Sequence, residues 1–196
     1  MRIFLVFVLS LVTLCSQAQY KALSIKLGGA STSRYDPSYY NNNYDFSSSK
    51  NVSIDYRSFI LRAGNKFHLD FGYVVGFSFS QFNVQDSIVN FDKQRNMNLS
   101  AGLAVNLPIT RKLRLNAAYS IGVLRYSNYD IYDFYGKSKT TILGRNILRS
   151  SSIDYGIDYD LSKNFSLGLS LSKIKYDEVY SASEIAFRSV RFSYYF

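Results

Sequence analysis

The stretch that decides the fold is residues 97–123, which read MNLSAGLAVNLPITRKLRLNAAYSIGV. From Met97 to Leu107 the odd positions are apolar and the even ones are small or polar. The alternation stops at residues 108–112 and resumes from Leu113 to Val123. A period of two over about eleven residues predicts two long amphipathic strands around a tight turn. Soluble strands usually have about 5–6 residues, whereas a strand tilted across a bilayer needs about 9–11. The stretch therefore predicts a membrane-crossing β-hairpin.

The same unit recurs along the rest of the chain. Alternation predicts further strands near residues 20–30, 52–61, 67–82, 153–159, 165–172 and 185–196, with a bulge where the pattern slips at 58–61. Long polar connections fall at 31–50, 83–96, 126–141 and 173–183, and short turns at 63–66, 108–112 and 160–164. Outer-membrane barrels alternate short periplasmic turns with long external loops in this way. The prediction is an all-β, eight-stranded antiparallel up-and-down transmembrane β-barrel with both termini on the periplasmic side.

The first eighteen residues differ from the rest. A basic Arg2, the apolar run from Ile3 to Leu14, and small residues at Ser16 and Ala18 predict a secretory signal peptide over 1–18, followed by the barrel over 19–196. The apolar run is too short for a transmembrane helix. Lipid attachment at Cys15 is the alternative, but the bulky Leu14 before it disfavours that processing.

The mature chain is basic and has no cysteine, so it cannot form a disulfide. The 23 Lys and Arg residues less Arg2 leave 22, against 14 Asp and Glu. A basic balance can indicate nucleic-acid binding, but an exported chain meets anionic lipid and glycan phosphates first. We therefore predict outer-membrane lipid and lipopolysaccharide as partners, and no nucleic acid.

The two faces of each strand can be assigned in two ways. A soluble lipocalin-like barrel turns its apolar face inward, whereas a membrane barrel turns it outward. The apolar face carries too many Leu, Phe and Tyr residues for an eight-stranded interior, and the opposite face is rich in Gly, Ser, Ala and Asn. Tyrosines also gather near predicted strand ends, as in an interfacial girdle. The membrane arrangement is favoured.

In that arrangement the lumen receives charged side chains of both signs. These should pair with one another because an unpaired buried charge is costly. Eight strands leave room only for side chains or one small ligand. A packed polar core is therefore favoured over an ion or proton path. The predicted charges are Lys26, Asp55, Arg57, Asp70, Arg114, Asp154, Asp158 and Arg191.

Catalytic and metal-binding residues are scarce. The one histidine, His68, has Asp70 two residues away on the same predicted face, so a His68/Asp70 pair is conceivable. It lies next to a predicted periplasmic turn, and a structural rim histidine is the favoured interpretation. One histidine and no mature cysteine do not suffice for a transition-metal site. Carboxylates at 130, 133, 177 and 178 lack the spacing of a calcium loop. We predict no catalytic residue, no metal and no cofactor.

The predicted external loops are rich in Tyr, Asn, Ser and Asp. Antibody paratopes use the same residues, because Tyr supplies contact area and Ser or Asn supply adaptable hydrogen bonds. The functional interpretation is a binding surface for a glycan or protein. The alternative is that external loops are polar in any case, and that Tyr is common throughout this chain. The candidate residues are Tyr39, Tyr40, Tyr44, Tyr129, Tyr132 and Tyr135.

Taken together, the signal end Ser16-Gln17-Ala18, the turn at 160–165 and the terminal segment 190–196 (VRFSYYF) resemble those of small bacterial outer-membrane barrels. The resemblance is to the OmpA/OmpX-like class, and in style to Bacteroidota-type, PorT-like barrels. It implies location in the cell outer membrane. It also implies that the barrel-assembly machinery reads the terminal aromatic row of Phe192, Tyr194 and Phe196. It transfers no active site, since fold does not determine function.

Three functions remain open at this point. The leading hypothesis is a non-enzymatic barrel with a structural, envelope-integrity or surface-recognition role. A small-solute channel or a transport or secretion accessory is the alternative. An enzyme that modifies outer-membrane lipid ranks third, because the barrels of that kind place a histidine near the external rim, far from the predicted position of His68.

Overall fold

Eight antiparallel strands form a closed barrel in the computed structural model, which describes residues 20–35, 46–64, 68–84, 93–134, 137–178 and 181–196. Each strand pairs with the next along the chain, and the last pairs with the first. The predicted fold class is confirmed. The described residues contain no helix long and apolar enough to cross a membrane. The strands are β1 Tyr20–Tyr35, β2 Phe46–Ala63, β3 Leu69–Val84, β4 Lys93–Pro108, β5 Leu113–Phe134, β6 Lys137–Asp160, β7 Phe165–Glu178 and β8 Ser181–Tyr195.

The short-turn end of the barrel agrees with the sequence pattern. The backbone N–H groups of Ile109 and Thr110 donate to the carbonyl of Leu113, which closes the predicted turn between β4 and β5. Leu161 and Ser162 donate to Phe165 in the same way between β6 and β7. Gly64 follows β2 with a φ of 97°, which a residue without Cβ adopts readily. The predicted bulge is also confirmed, because the β2–β3 register shifts between Phe59 and Leu61.

The long-loop end differs from the prediction, because the strands continue further than expected. The loop predicted over 126–141 is wrong: β5 and β6 stay paired from Tyr129↔Ile142 to Phe134↔Lys137. The loop predicted over 173–183 is wrong for the same reason, since β7 and β8 stay paired to Glu178↔Ser181. Beyond the apolar belt the outward positions become charged or polar. A strand there lacks the outward apolar row from which the sequence pattern predicts a membrane-crossing strand.

The apolar rows face outward and the small polar rows face inward, which confirms the membrane-type assignment. Leu103 on β4 is 71% exposed, whereas Ser24 on β1 is 2% exposed. The outward rows of all eight strands together form a continuous apolar belt. Its large exposed members include Leu23, Ile54, Phe77, Leu99, Ile121, Tyr155, Leu169 and Phe192.

Among the described residues, an apolar layer lies on each side of the charged centre, and the sequence predicted neither layer. Charged side chains occupy the centre. Below them, toward the short turns, lies a lower apolar cluster of Phe59, Val74, Ala104 and Ala118, against which Tyr20 packs. Above them, toward the long-loop end, lies an upper apolar cluster of Phe82, Leu124, Ile174, Tyr176, Ile185 and Phe187. The charged centre is thus enclosed between two apolar layers.

Candidate functional site

The centre of the lumen is organised around one carboxylate, Asp154 on β6. Its Oδ2 accepts hydrogen bonds from Lys26 Nζ at 2.8 Å and from Arg57 Nη2 at 2.5 Å. Arg191 Nη1 donates to the same oxygen at 3.4 Å. The other oxygen, Oδ1, accepts a bond from Ser172 Oγ at 2.8 Å. Alternation places each of these side chains on the inner face, and the barrel closure brings β1, β2, β7 and β8 to β6.

Two more carboxylates complete this charge network, which comprises Lys26, Arg57, Arg191, Asp55, Asp154 and Asp158. Asp55 Oδ2 lies 2.6 Å from Lys26 Nζ and 3.6 Å from Arg57 Nη2. Asp158 Oδ1 accepts from Arg191 Nε at 3.0 Å. All six residues are buried. Three cations therefore face three anions, and mutual pairing compensates their loss of hydration.

An amide bridges the network. Asn116 Nδ2 donates to Asp158 Oδ2 at 2.8 Å, while Asn116 Oδ1 accepts from Arg57 Nη1 at 3.2 Å. An amide side chain can do both because it carries a donor group and an acceptor. Sequence reasoning did not include Asn116 among the candidate residues. Its inward position on β5 was the available signal, but the need for an uncharged bridge is visible only in the structure.

The network also spans the seam where the barrel closes. Lys26 on β1 and Arg191 on β8 are register partners, so two positive charges are neighbours across the seam. Like charges directly opposite each other destabilise a strand pair. Here both contact Asp154, which lies on β6, a strand that pairs with neither β1 nor β8. The seam is therefore electrostatically compensated from β6.

Two of the eight predicted lumen charges lie outside this network, and the prediction that they pair within it is wrong. Asp70 accepts from Arg62 Nε at 2.7 Å and from the Tyr20 hydroxyl at 2.8 Å. Arg114 pairs with Asp160, and its guanidinium carbon lies 3.9 Å from the centre of the Tyr195 ring. Alternation predicts which face of the sheet a residue occupies but not its position along the barrel axis. Asp70 and Arg114 both lie near the short-turn end.

Free space beside the charge network includes a small cavity among the described residues. A cavity of about 50 Å³ lies between the charge network and the upper apolar cluster, bordered by Asp55, Ser78, Asn98 and Phe187 among others. One buried water needs roughly 10–15 Å³ of such volume, so a few waters fit and a solute does not. The polar border suits waters that bridge buried groups.

The described residues include two of the six predicted binding tyrosines. Tyr129 lies in β5, where the guanidinium carbon of Arg95 is 4.9 Å from its ring centre. Tyr132 also lies in β5, close to the end of the β5–β6 hairpin, so both belong to a strand rather than to an irregular loop. Tyr39, Tyr40, Tyr44 and Tyr135 lie outside the described residues. The hairpin as a whole extends far above the apolar belt.

The conceivable catalytic pair is not assembled. His68 is exposed, and its Nδ1 lies 3.1 Å from the Gly64 carbonyl oxygen. Asp70 points into the barrel and bonds to Tyr20, Arg62 and Asn106. In the part of the chain that the structure describes, no group of three or more His, Cys, Asp or Glu side chains could hold a metal ion.

The terminal aromatic row lies on the outer surface at the closing seam. Phe192, Tyr194 and Phe196 are 50%, 41% and 56% exposed. The rings of Tyr194 and Phe196 stack with centres 5.9 Å apart. The backbone of Phe196 exchanges two hydrogen bonds of 3.1 Å with Lys21. The last residue therefore completes the pairing between β8 and β1.

Above the apolar belt, toward the long-loop end, the outward positions become basic. Eight exposed cations among the described residues form this basic collar: Lys50, Arg95, Arg125, Arg145, Arg149, Lys173, Lys175 and Arg188. Glu184 pairs with Lys173 at 3.0 Å and Lys175 at 3.6 Å, and the hydrogen bond from Lys173 holds the pKa of the Glu184 carboxyl below its usual range. The other six form no ion pair within the described ranges. The collar can therefore accept external anions.

Comparison with known proteins shows the fold and nothing narrower. No protein-family model and no curated protein matches the sequence. The crystal structure of Ail, the attachment invasion locus protein of Yersinia pestis, matches with a TM-score of 0.54 and 16% identity over 90% of this chain and 98% of that one. Its complex with the heparin analogue sucrose octasulfate gives 0.56 and 15% over the same shares. Neisserial surface protein A gives 0.50 and 10%, over 88% and 95%. The fold is that of small outer-membrane barrels.

Proposed function

We propose that this eight-stranded barrel is an integral outer-membrane protein with a sealed lumen, which acts through its outer surface and external end rather than by conduction or catalysis. A structural, envelope-integrity or surface-recognition role follows, with lipopolysaccharide phosphates at the basic collar and a glycan or protein ligand at the external β5–β6 hairpin. The predicted signal peptide at 1–18, which lies outside the described residues, is the export route.

The observation that carries this proposal is the filled interior. The upper apolar cluster contains Phe82, Leu124 and Phe187, each at most 2% exposed, and it lies across the lumen above the charge network. The network beneath it has its charges paired with one another. An ion crossing the lumen would have to displace both layers. This arrangement supports a sealed barrel over the alternative of a small-solute channel.

Conductance tests the sealed lumen. Purified protein in planar bilayers should give no steady single-channel current, because the upper apolar cluster lies across the lumen above the paired charges. A larger porin-type barrel, inserted under the same conditions, serves as the positive control for insertion. A reproducible, salt-dependent unitary current from the pure protein would contradict the proposal and favour the channel alternative.

Topology can be tested by cysteine labelling of intact cells. The chain has no cysteine after Cys15, so an introduced cysteine in the mature chain is unique. Tyr132→Cys, near the end of the β5–β6 hairpin, should react with a membrane-impermeant maleimide. Lys163→Cys, in the short turn between β6 and β7, should react only after the outer membrane is permeabilised. The reverse pattern would mean that the barrel is inserted with the opposite orientation.

Assembly is the proposed role of the terminal aromatic row. Phe196→Ala keeps the backbone bonds to Lys21 and removes one ring, which should cost about 1–3 kcal/mol of folding free energy. If the assembly machinery reads this ring, outer-membrane levels should fall while refolding into detergent stays largely intact. Phe71→Ala, which removes an exposed outward ring near the short-turn end of β3, is the control. Equal falls in cellular level for both variants would make Phe196 an ordinary packing residue.

A further inference from the structure

The pairing between β6 and β7 ends well below the top of β6. These two strands pair from Asp160↔Ser166 up to Ser150↔Tyr176, and above that level no described residue pairs with β6 on its β7 side. On its other side β6 stays paired with β5 as far as Lys137. Above Ser150, β6 is therefore an edge strand within the described part of the chain. A strand edge presents a row of unpaired backbone N–H and C=O groups.

The direction of these backbone groups follows from the opposite end of β6. The N–H of Asp160 donates to the carbonyl of Lys112, on the β5 side, whereas the N–H of Leu161 donates to Phe165, on the β7 side. Successive residues of an antiparallel strand point their backbone groups alternately to the two neighbours. The one register shift between β5 and β6 lies further up, beyond residue 144. Residues 145, 147 and 149 therefore direct their N–H and C=O groups toward the β7 side.

Residues 145–149, which we call the free edge of β6, combine these backbone groups with a simple outward pattern. Arg145, Ile147 and Arg149 are exposed on the outer face, and Ile147 is 69% exposed. Neither arginine has an ion-pair partner among the described residues. The register partner of Ile147 on β5 is another collar cation, Arg125. The free edge thus presents an apolar side chain between two guanidinium groups, beside unpaired backbone groups.

An edge of this kind fits another extended chain, because strand addition satisfies the unpaired backbone groups. A second copy of this protein is a poor occupant. Antiparallel pairing of two identical edges would set Arg145 opposite Arg149 of the other copy, and like charges directly opposite each other destabilise a strand pair. Carboxylates at the same positions would instead be stabilised by both arginines. The charges therefore favour an acidic partner strand over self-association.

We propose that the free edge of β6 binds an extended acidic segment of another protein by antiparallel strand addition, in line with β7 below it. The residues opposite 145, 147 and 149 share the outer face, so the segment has the pattern acidic–x–apolar–x–acidic. Its carboxylates lie against Arg145 and Arg149, where arginine offers two parallel hydrogen bonds, and its apolar side chain lies against Ile147. The inference rests on the proposed surface-recognition role of the β5–β6 hairpin, for which it names the partner class and the mode of binding.

Fluorescence anisotropy of labelled peptides with the purified, folded protein in a neutral detergent tests this site. A short peptide on a threonine background, with two glutamates four positions apart and a valine midway between them, should bind. The same peptide with lysine at both glutamate positions should bind at least tenfold more weakly, because it repeats the like-charge contacts. N-methylation of the valine removes an N–H that faces β6 and should abolish binding. N-methylation of the next threonine, whose N–H faces away, should leave binding largely unchanged.

Charge reversal in the protein tests the two ion pairs. Arg145→Glu combined with Arg149→Glu should reverse the preference, so that the lysine peptide binds and the glutamate peptide does not. Lys50→Glu combined with Arg188→Glu changes the net charge equally on β2 and β8, away from the free edge, and should keep the original preference.

Three results would overturn the proposal: no binding of the glutamate peptide, equal binding of the two N-methylated peptides, or the same loss of binding in both double variants. Equal binding of the N-methylated peptides would indicate a surface that takes polyanions, such as an acidic glycan, by charge alone. Each of these results would leave the sealed-lumen proposal intact, because that proposal is decided by the bilayer current.

Discussion

Asp154→Asn should lower the free energy of unfolding by about 3–5 kcal/mol, which is the loss expected when one partner of a buried ion pair is removed. Asp154 accepts hydrogen bonds from Lys26, Arg57 and Arg191. Asparagine keeps the shape of the side chain but leaves the interior with one uncompensated positive charge. Lys26 and Arg191, which are neighbours across the closing seam, would then repel each other without the carboxylate that holds them.

Urea unfolding of the refolded protein in detergent micelles measures this loss. Glu184→Gln is the matched control, since it also removes one carboxylate that contacts two cations, but at the exposed rim. Such surface pairs contribute about 0–1 kcal/mol. Adding Lys26→Met to Asp154→Asn restores neutrality and should recover part of the lost stability. If the double variant is no more stable than Asp154→Asn, the effect comes from packing and the electrostatic explanation is wrong.

The charge network shows how far sequence reasoning reaches inside a barrel. Alternation identifies which residues point inward, and a chain with acidic and basic residues on that face must pair them. It does not give the height of each residue along the barrel axis, because height depends on the stagger between strands. The predicted inward face of Asp70 and Arg114 is therefore correct, whereas their predicted partners are wrong.

The upper apolar cluster escaped prediction for a related reason. Phe82, Leu124 and Phe187 lie on the inner face, yet a strictly polar lumen was expected from the Ser, Gly and Asn around them. The sequence pattern ends a predicted strand at Phe82 and predicts a loop over 173–183. Once those strands continue upward, the same alternation turns Ile174 and Tyr176 inward, and the cluster follows.

The basic collar and the β5–β6 hairpin lie where the bilayer no longer imposes a two-sided pattern. Tyr, Ile and Thr in the stretch 126–142 have strong strand preferences, but without apolar alternation these preferences were outweighed by the Asp and Asn residues among them. Arg125, Arg145, Arg149 and Arg188 join the other cations of the collar in a common surface only when the register of the six strands that carry the collar, β2 and β4 to β8, is known. Neither feature could be assembled from the sequence alone.

Phe82→Ala is expected to cost about 3–5 kcal/mol, the range for removing a buried aromatic ring from a packed core. Phe82 is fully buried, and its ring centre lies 6.0 Å from that of Phe187. Removal leaves a cavity because the closed barrel limits how far its walls can move inward. Phe82→Leu keeps an apolar side chain in place and should cost less, about 1.5 kcal/mol or below, if the neighbours repack.

Phe77→Ala on the same strand is the matched control for Phe82→Ala. It also removes an aromatic ring, but one that lies outside the packed interior. Phe77 is 45% exposed on the apolar belt, so detergent or lipid occupies the vacated space and no cavity term adds to its transfer cost. In urea unfolding, Phe82→Ala should therefore be clearly less stable than Phe77→Ala. Equal losses for the two variants would mean that the upper lumen is open and solvated, and the proposal of a sealed barrel would fail with it. A larger loss of stability for Phe82→Ala would link the stability of the barrel to the closure of its lumen, because the same packed rings are responsible for both.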